Sequence, residues 1–186
     1  MKLIVGLGNP GKEYANTPHN AGFVFLDALR ETFMYQNTLY PTDWKTEDTF
    51  KSDIAFIKSG SKIIAILQKP LTFMNLSGEA VEKIVKKFDI EPSNDLILVH
   101  DDLDIQLGDF KIQKGKSPIG HNGVLSVEEH LGIKDFKRVR IGIENRSNKN
   151  IPGLDYVLMK YSKEEQATLE ETIQEAIKGI LSDIIL

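Results

Sequence analysis

The spacing of hydrophobic positions changes repeatedly along the chain, from short apolar runs to longer stretches in which one residue in three or four is apolar. That alternation predicts strands and helices taking turns. Lys2 to Gly6 reads as a short buried strand, and the turn-rich Gly8-Asn9-Pro10-Gly11 leads toward a helix carrying Phe23, Leu26, Leu29 and Phe33 on one face. Residues 35 to 50 show no clear period. Ile54 to Ile57 and Ile63 to Leu67 flank Ser59-Gly60-Ser61, which predicts an antiparallel hairpin. Residues 78 to 88 place Ala80, Val81, Ile84, Val85 and Phe88 on one helical face, and Leu96 to Val99 forms another apolar strand, ended by His100, Asp101 and Asp102. Phe110 to Gln113 and Val139 to Ile143 are the remaining strands, with a short helix from about Asn122 to Leu131 between them. A last helix begins where Ser162 and Glu165 have capping-box spacing, and Leu169, Ile173, Ala176, Ile177 and Ile180 continue its apolar stripe. The expected fold is an α/β sandwich of three layers, a twisted mixed sheet flanked by helices. Strand order does not follow from these patterns.

Composition narrows the picture in three ways. The 186 residues suffice for one domain with a substantial core and are too few for two, so residues 1–186 are read as a single unit with one site. Hydrophobic residues at 41% and charged residues at 27% give the balance of a globular protein, and no apolar run approaches the roughly 20 residues of a membrane span. Because Met1 and Lys2 run straight into Leu3-Ile4-Val5, a cytoplasmic protein is expected. The absence of cysteine excludes disulfides, zinc-thiolate sites and thiol nucleophiles. A net charge of -4 argues against a surface devoted wholly to nucleic acid, although a local basic patch is enough for phosphate binding.

Gly6-Leu7-Gly8-Asn9-Pro10-Gly11 matches G-x-G-x-x-G after a strand, the fingerprint of dinucleotide binding. A nucleotide-binding unit starts its helix inside the glycine run, and Pro10 followed by Gly11 opposes a helix there. The apolar period begins only near Asn20, and Asp27 and Glu31, at about the spacing of the ribose-binding acid, fall inside the predicted helix. A turn tolerant of unusual backbone angles accounts for the glycines but not for the polar cluster Asn9, Tyr14, Thr17, His19 and Asn20.

Four polar segments, taken together, resemble the bacterial peptidyl-tRNA hydrolases. They are the glycine loop with Tyr14 and His19-Asn20, then Phe73-Met74-Asn75-Leu76-Ser77-Gly78, then His100-Asp101-Asp102-Leu103-Asp104, and finally Gly120-His121-Asn122-Gly123. Weaker similarity through Arg138 to Ile143 and Tyr156-Val157-Leu158 extends the match over most of the chain. The resemblance implies a single α/β domain, usually monomeric, that cleaves the ester joining a peptide to the terminal ribose of tRNA without metal or organic cofactor. It implies His19 as catalytic base, Asp101 as its partner, and Asn9, Asn75 and Asn122 as ligands of substrate or water. Tyr14 and Met74 would shape the pocket, and Lys111 and Arg140 would bind tRNA phosphates near the acceptor stem and terminal adenosine. Three positions depart from the family pattern: Pro18 replaces a basic residue before the histidine, Ile119 a glycine before Gly120, and Gln113 a second basic residue after Lys111.

The residue types suit ester hydrolysis. Such a reaction needs an activated water, a stabilised carbonyl oxygen and a proton for the leaving oxygen, and a neutral histidine oriented by a carboxylate serves the first and last. Asparagines bind backbone amides without adding charge, which fits peptides of any sequence, and such a site penalises the charged ammonium of an uncapped aminoacyl-tRNA. Other readings stand beside this one. His19 can be a hydrogen-bonded structural histidine, Asp101 and Asp102 a solvated strand end or a metal carboxylate pair, Asn75 a helix cap, and His121-Asn122 a turn and cap. His100 and His121 with the aspartates show no tight ligand spacing, so no required metal is expected. Between Phe110 and Val127 there is no acidic residue but there are Lys111, Lys114 and Lys116. Lys134, Lys137, Arg138, Arg140, Arg146 and Lys149 then face only Asp135 and Glu144, a basic excess able to hold phosphates. An RNA-binding protein of this fold without turnover is the competing function.

Overall fold

The computed structural model describes residues 1–115 and 120–185. Eight strands, β1 Lys2–Gly6, β2 Tyr40–Pro41, β3 Lys45–Glu47, β4 Ser52–Ser59, β5 Lys62–Pro70, β6 Leu96–Gln106, β7 Phe110–Lys114 and β8 Lys137–Glu144, form one sheet in the order β2-β4-β5-β1-β6-β8-β7, with β3 also paired to β4. The four central strands β5, β1, β6 and β8 run parallel. The β4/β5 hairpin and the β7/β8 pair add antiparallel ladders on either side, so the sheet is mixed. The helices are α1 Ala21–Met34, α2 Ser77–Phe88, α3 Pro92–Asp95, α4 Asn122–Leu131, α5 Gly153–Tyr156 and α6 Lys163–Ile185.

Side-chain alternation along the central strands divides the core into two layers. Ile4, Ile97, Val99, Val139 and Ile141 point to one face and are covered by α1 and α6 through Phe25, Leu29, Ile173 and Ile177. Leu3, Val5, Leu96 and Leu98 point to the other, against Val81 and Ile84 of α2 and Val124 and Val127 of α4. This is the expected three-layer sandwich. The last helix opens with the predicted capping box: Glu165 N–H donates to Ser162 Oγ at 3.2 Å, and Ser162 N–H donates to Glu165 Oε2 at 2.8 Å.

One stretch without a pattern gains structure, and one expected strand end is corrected. Residues 35 to 50 contain the edge strands β2 and β3, which pair with β4. Two and three residues are too few to display a hydrophobic period. The strand predicted to stop at His100 runs to Gln106, because β8 continues to pair with it at His100, Asp101 and Asp102 before the register shifts. Ladder hydrogen bonds are indifferent to side-chain polarity, and the two aspartates find partners of their own.

The glycine loop belongs to packing. A Cβ on Gly6 would lie 2.2 Å from the Gly22 carbonyl oxygen, and one on Gly22 would lie 2.4 Å from the Leu7 nitrogen, so only a glycine pair lets α1 sit this close to β1. The helix starts at Ala21, after the whole loop from Asn9 to Asn20, and not within the glycine run. No helix among the described residues is long and apolar enough to cross a membrane.

Candidate active site

The polar segments converge just past the carboxyl end of β1, against the middle of the longer neighbouring strand β6. Pro18 opens a single 3-10 turn, Pro18–Asn20, immediately before α1. Its fixed φ suits the first position of such a turn, where its missing N–H costs nothing. The turn presents His19, whose backbone N–H donates to Val157 O at 2.9 Å. The imidazole Nδ1 of His19 lies 3.0 and 3.1 Å from the two carboxylate oxygens of Asp101 on β6. Nδ1 therefore carries the proton, and Nε2 keeps a lone pair. Asp101 is buried and His19 partly so.

The electrostatics follow from that contact. Burial alone would push the Asp101 carboxyl up, but the charges of His19 and His121 and the hydrogen bonds from both hold it well below the usual carboxylate range. Burial pulls the His19 imidazole down, and Asp101, through charge and hydrogen bond, more than offsets this, leaving it above the ordinary histidine value. His100, fully buried, is pushed down to about 3, first by burial and then by His121, and stays neutral.

Asn9 sits within the glycine loop, clamped by Asn20. Asn9 N–H donates to Asn20 Oδ1 at 2.9 Å, and Asn20 Nδ2 donates to Asn9 O at 3.0 Å. The Asn9 Oδ1 accepts the Met74 N–H at 2.8 Å, which fixes the amide orientation and leaves Nδ2 as a donor with no hydrogen bond among the described residues. Met74 is buried and packs on Gly123, where an added Cβ would meet its Sδ at 2.3 Å. Asn122, the first residue of α4, is exposed and lines the same cavity of about 250 Å³ as His19, Asp101 and His121. Asn75 is exposed beside Met74, and the α2 cap uses no side chain, so Asn75 is not the cap of that helix. Tyr14 is half-buried in the loop before His19, outside the lining of that cavity.

Arg140 lies elsewhere than expected, and Asn20 and His121 do more than a place in a motif indicated. Arg140, expected on the phosphate-binding surface, is buried, and its Nε donates to Asp102 Oδ2 at 2.6 Å. The basic excess around it is largely neutralised. Arg138 is buried against Glu128, Lys137 pairs with Asp183, and Arg146 and Lys149 both pair with Glu144. Lys111, opposite Arg140 on β7, is exposed and has no ion pair among the described residues. Lys116 and Ile119 lie outside the described residues. Asn20 and His121 carry more of the site than their sequence suggested. The signal was their place inside two of the four motifs, directly after His19 and directly before Asn122.

His19, Asp101 and His121 bring one ligand atom each to within 4.8 Å of one another, the only such cluster of metal-ligating side chains among the described residues. Those atoms are already hydrogen-bonded, His121 Nε2 to Asp101 Oδ1 at 2.9 Å and His19 Nδ1 to the same carboxylate. Val124 N–H occupies the other His121 nitrogen, so an ion could use Nε2 only by displacing its proton. The donor set fits a hydrogen-bonded constellation better than a cation.

Fold and site together define an α/β protein with a histidine–carboxylate pair built on its central strand β6, and with the asparagine amides of Asn9 and Asn20 oriented by hydrogen bonds. The chain matches the family model "Peptidyl-tRNA hydrolase" over residues 3–185 and belongs to that family. A peptidyl-tRNA hydrolase of Thermodesulfovibrio yellowstonii is 40% identical over 97% of this chain and 91% of its own. One of Bacillus subtilis is 38% identical over 96% and 89%. Among solved structures, a peptidyl-tRNA hydrolase complexed with N-propanol superposes with a TM-score of 0.85 at 33% identity, over 99% of this chain and 88% of that one. The Acinetobacter baumannii enzyme superposes with a TM-score of 0.83 at 33% identity, over 97% and 86%.

Proposed function

We propose that this chain hydrolyses the ester between a peptide and the terminal ribose of tRNA, with His19 as general base and Asp101 as its partner. The carrying observation is the hydrogen bond from His19 Nδ1 to a buried, ionised Asp101, which leaves Nε2 as the available base. Nε2 takes a proton from water as the water attacks the ester carbonyl. The imidazolium so formed is stabilised by Asp101 and returns the proton to the departing ribose oxygen. The free Asn9 Nδ2 is suited to donate to the carbonyl oxygen as it becomes negative, because its position is set in advance by Asn20 and Met74. Asn122, in the cavity wall, and Asn75, exposed beside the buried Met74, supply neutral contacts to peptide backbone or water, and Met74 and Tyr14, outside the lining of that cavity, bound parts of the substrate that extend beyond it. Lys111, exposed and without an ion pair among the described residues, is a better phosphate contact than the buried Arg140.

The test is release of deacylated tRNA from N-acetyl-aminoacyl-tRNA, with tRNA binding measured alongside. His19→Ala should lower turnover by about 10² to 10⁴, the usual size of general acid–base catalysis, while binding persists. A variant that cleaves at the wild-type rate removes His19 from the mechanism. Wild-type protein that binds tRNA and never cleaves it would support the RNA-binding alternative instead.

A further inference from the structure

We propose that His121 is a positioning residue for Asp101, locked by the main chain of α4 as a permanent Nε2–H donor that holds the carboxylate where it meets His19. The proposal rests on the reading of His19 as the base.

The lock follows from which atoms are occupied. His121 is the N-cap residue of α4, and its Nδ1 accepts the Val124 N–H at 3.3 Å. A ring nitrogen that accepts a hydrogen bond carries no proton, so the imidazole bears its proton on Nε2. That atom lies 2.9 Å from Asp101 Oδ1. Asp101 thus takes donors from two histidines, but not symmetrically. His19 Nδ1 straddles both carboxylate oxygens at 3.0 and 3.1 Å, whereas His121 bonds Oδ1 alone, and the one-sided bond is what stops the carboxylate from turning.

The same two contacts give the histidines opposite fates. His19 spends Nδ1 on Asp101 and keeps Nε2 for chemistry. His121 spends Nε2 on Asp101 and Nδ1 on the helix, so it has no lone pair left with which to act as a base. Its ring is held between those of His19 and His100, each with its centroid 5.0 Å away, and it is 7% exposed. Gly120, with φ of +76°, makes the left-handed turn that brings the chain onto this ring, a conformation disfavoured for any residue with a side chain.

Two substitutions separate the cap from the positioning role. His121→Asn keeps an oxygen able to cap α4 but has no donor at the reach of Nε2. His121→Gln places an amide nitrogen near the old Nε2 but loses the cap. The expected result is that His121→Asn folds with near-native melting temperature and loses about 10- to 100-fold in kcat with KM little changed, the effect of one lost hydrogen bond to a charged group. His121→Gln should melt lower and recover kcat to within about threefold of wild type, since the donor that matters in the transition state is retained. In the wild-type protein, nitrogen-15 NMR of labelled histidine should show His121 as the Nε2–H tautomer, a readout that needs neither variant.

Unchanged kcat in His121→Asn would reduce His121 to a helix cap. A raised KM with intact kcat would place it on the substrate, and an Nδ1–H tautomer would remove the lock; each of these overturns the proposal. If His19→Ala cleaves normally, the base assignment itself fails, and that outcome is read from a different variant.

Discussion

Replacing Asp101 by Asn preserves shape and removes charge, so it isolates what the carboxylate does for His19. The variant should fold and lose about 10²-fold or more in turnover, because an amide neither stabilises the imidazolium nor selects its tautomer. Near-normal steady-state rates would break the pair. Asn9→Ala removes the free Nδ2 donor and also strands the buried Met74 N–H that Asn9 now satisfies. It should therefore lower kcat and also destabilise by about 1 to 3 kcal/mol, the cost of an unpaired buried polar group, measured by denaturant titration. A loss of stability with unaltered kcat would make Asn9 a structural residue. At this scale His19, Asp101, Asn9 and Met74 were legible because each sits in a short motif whose chemistry is local. Arg140 was not. A charged residue in sequence shows its sign but not its partner, and Asp102 lies 38 positions away on the neighbouring strand.

The elements were legible in proportion to their length. The helix beginning after Asn20, the hairpin at Gly60 and the capped last helix carry long periods or strong punctuation, whereas β2 and β3 are set by pairing to β4 and leave no pattern of their own. The contact of α1 with β1 turns the glycine loop into a packing device, and this is testable. Gly22→Ala places a methyl 2.4 Å from the Leu7 nitrogen and 2.6 Å from the Val99 oxygen, where neither backbone can yield. The variant should lose at least about 1 to 3 kcal/mol by denaturant titration, as overpacked sites do, and its activity should fall with the displacement of His19 at the start of α1. Wild-type stability would show that the helix seats itself differently.

The order of strands was beyond the sequence because long-range pairing depends on which apolar faces meet, and each central strand carries apolar residues that could pack beside any of the others. The sheet order is also what converts Arg140, on the strand next to the one that carries Asp101, from a surface cation into the buried partner of Asp102. Arg140→Ala should thus cost about 3 to 5 kcal/mol, as when one member of a buried ion pair is deleted, and should impair peptidyl-tRNA and a minimal ester substrate alike. A loss confined to the full tRNA substrate, with unchanged stability, would return Arg140 to the phosphate surface. As a general base, His19 has to be neutral when it acts, and the proposed role of Asp101 is to set the pH at which it becomes so. The direct measurement is the pH dependence of the single-turnover rate for wild type and Asp101→Asn. A base must lose its proton first, so the wild-type rate should fall on the acid side with a midpoint above the ordinary histidine value of about 6.5. In Asp101→Asn, burial acts unopposed, and the midpoint should move to lower pH as the plateau drops. A wild-type rate flat through that range, or a variant with the wild-type midpoint, would contradict the pairing of His19 with Asp101.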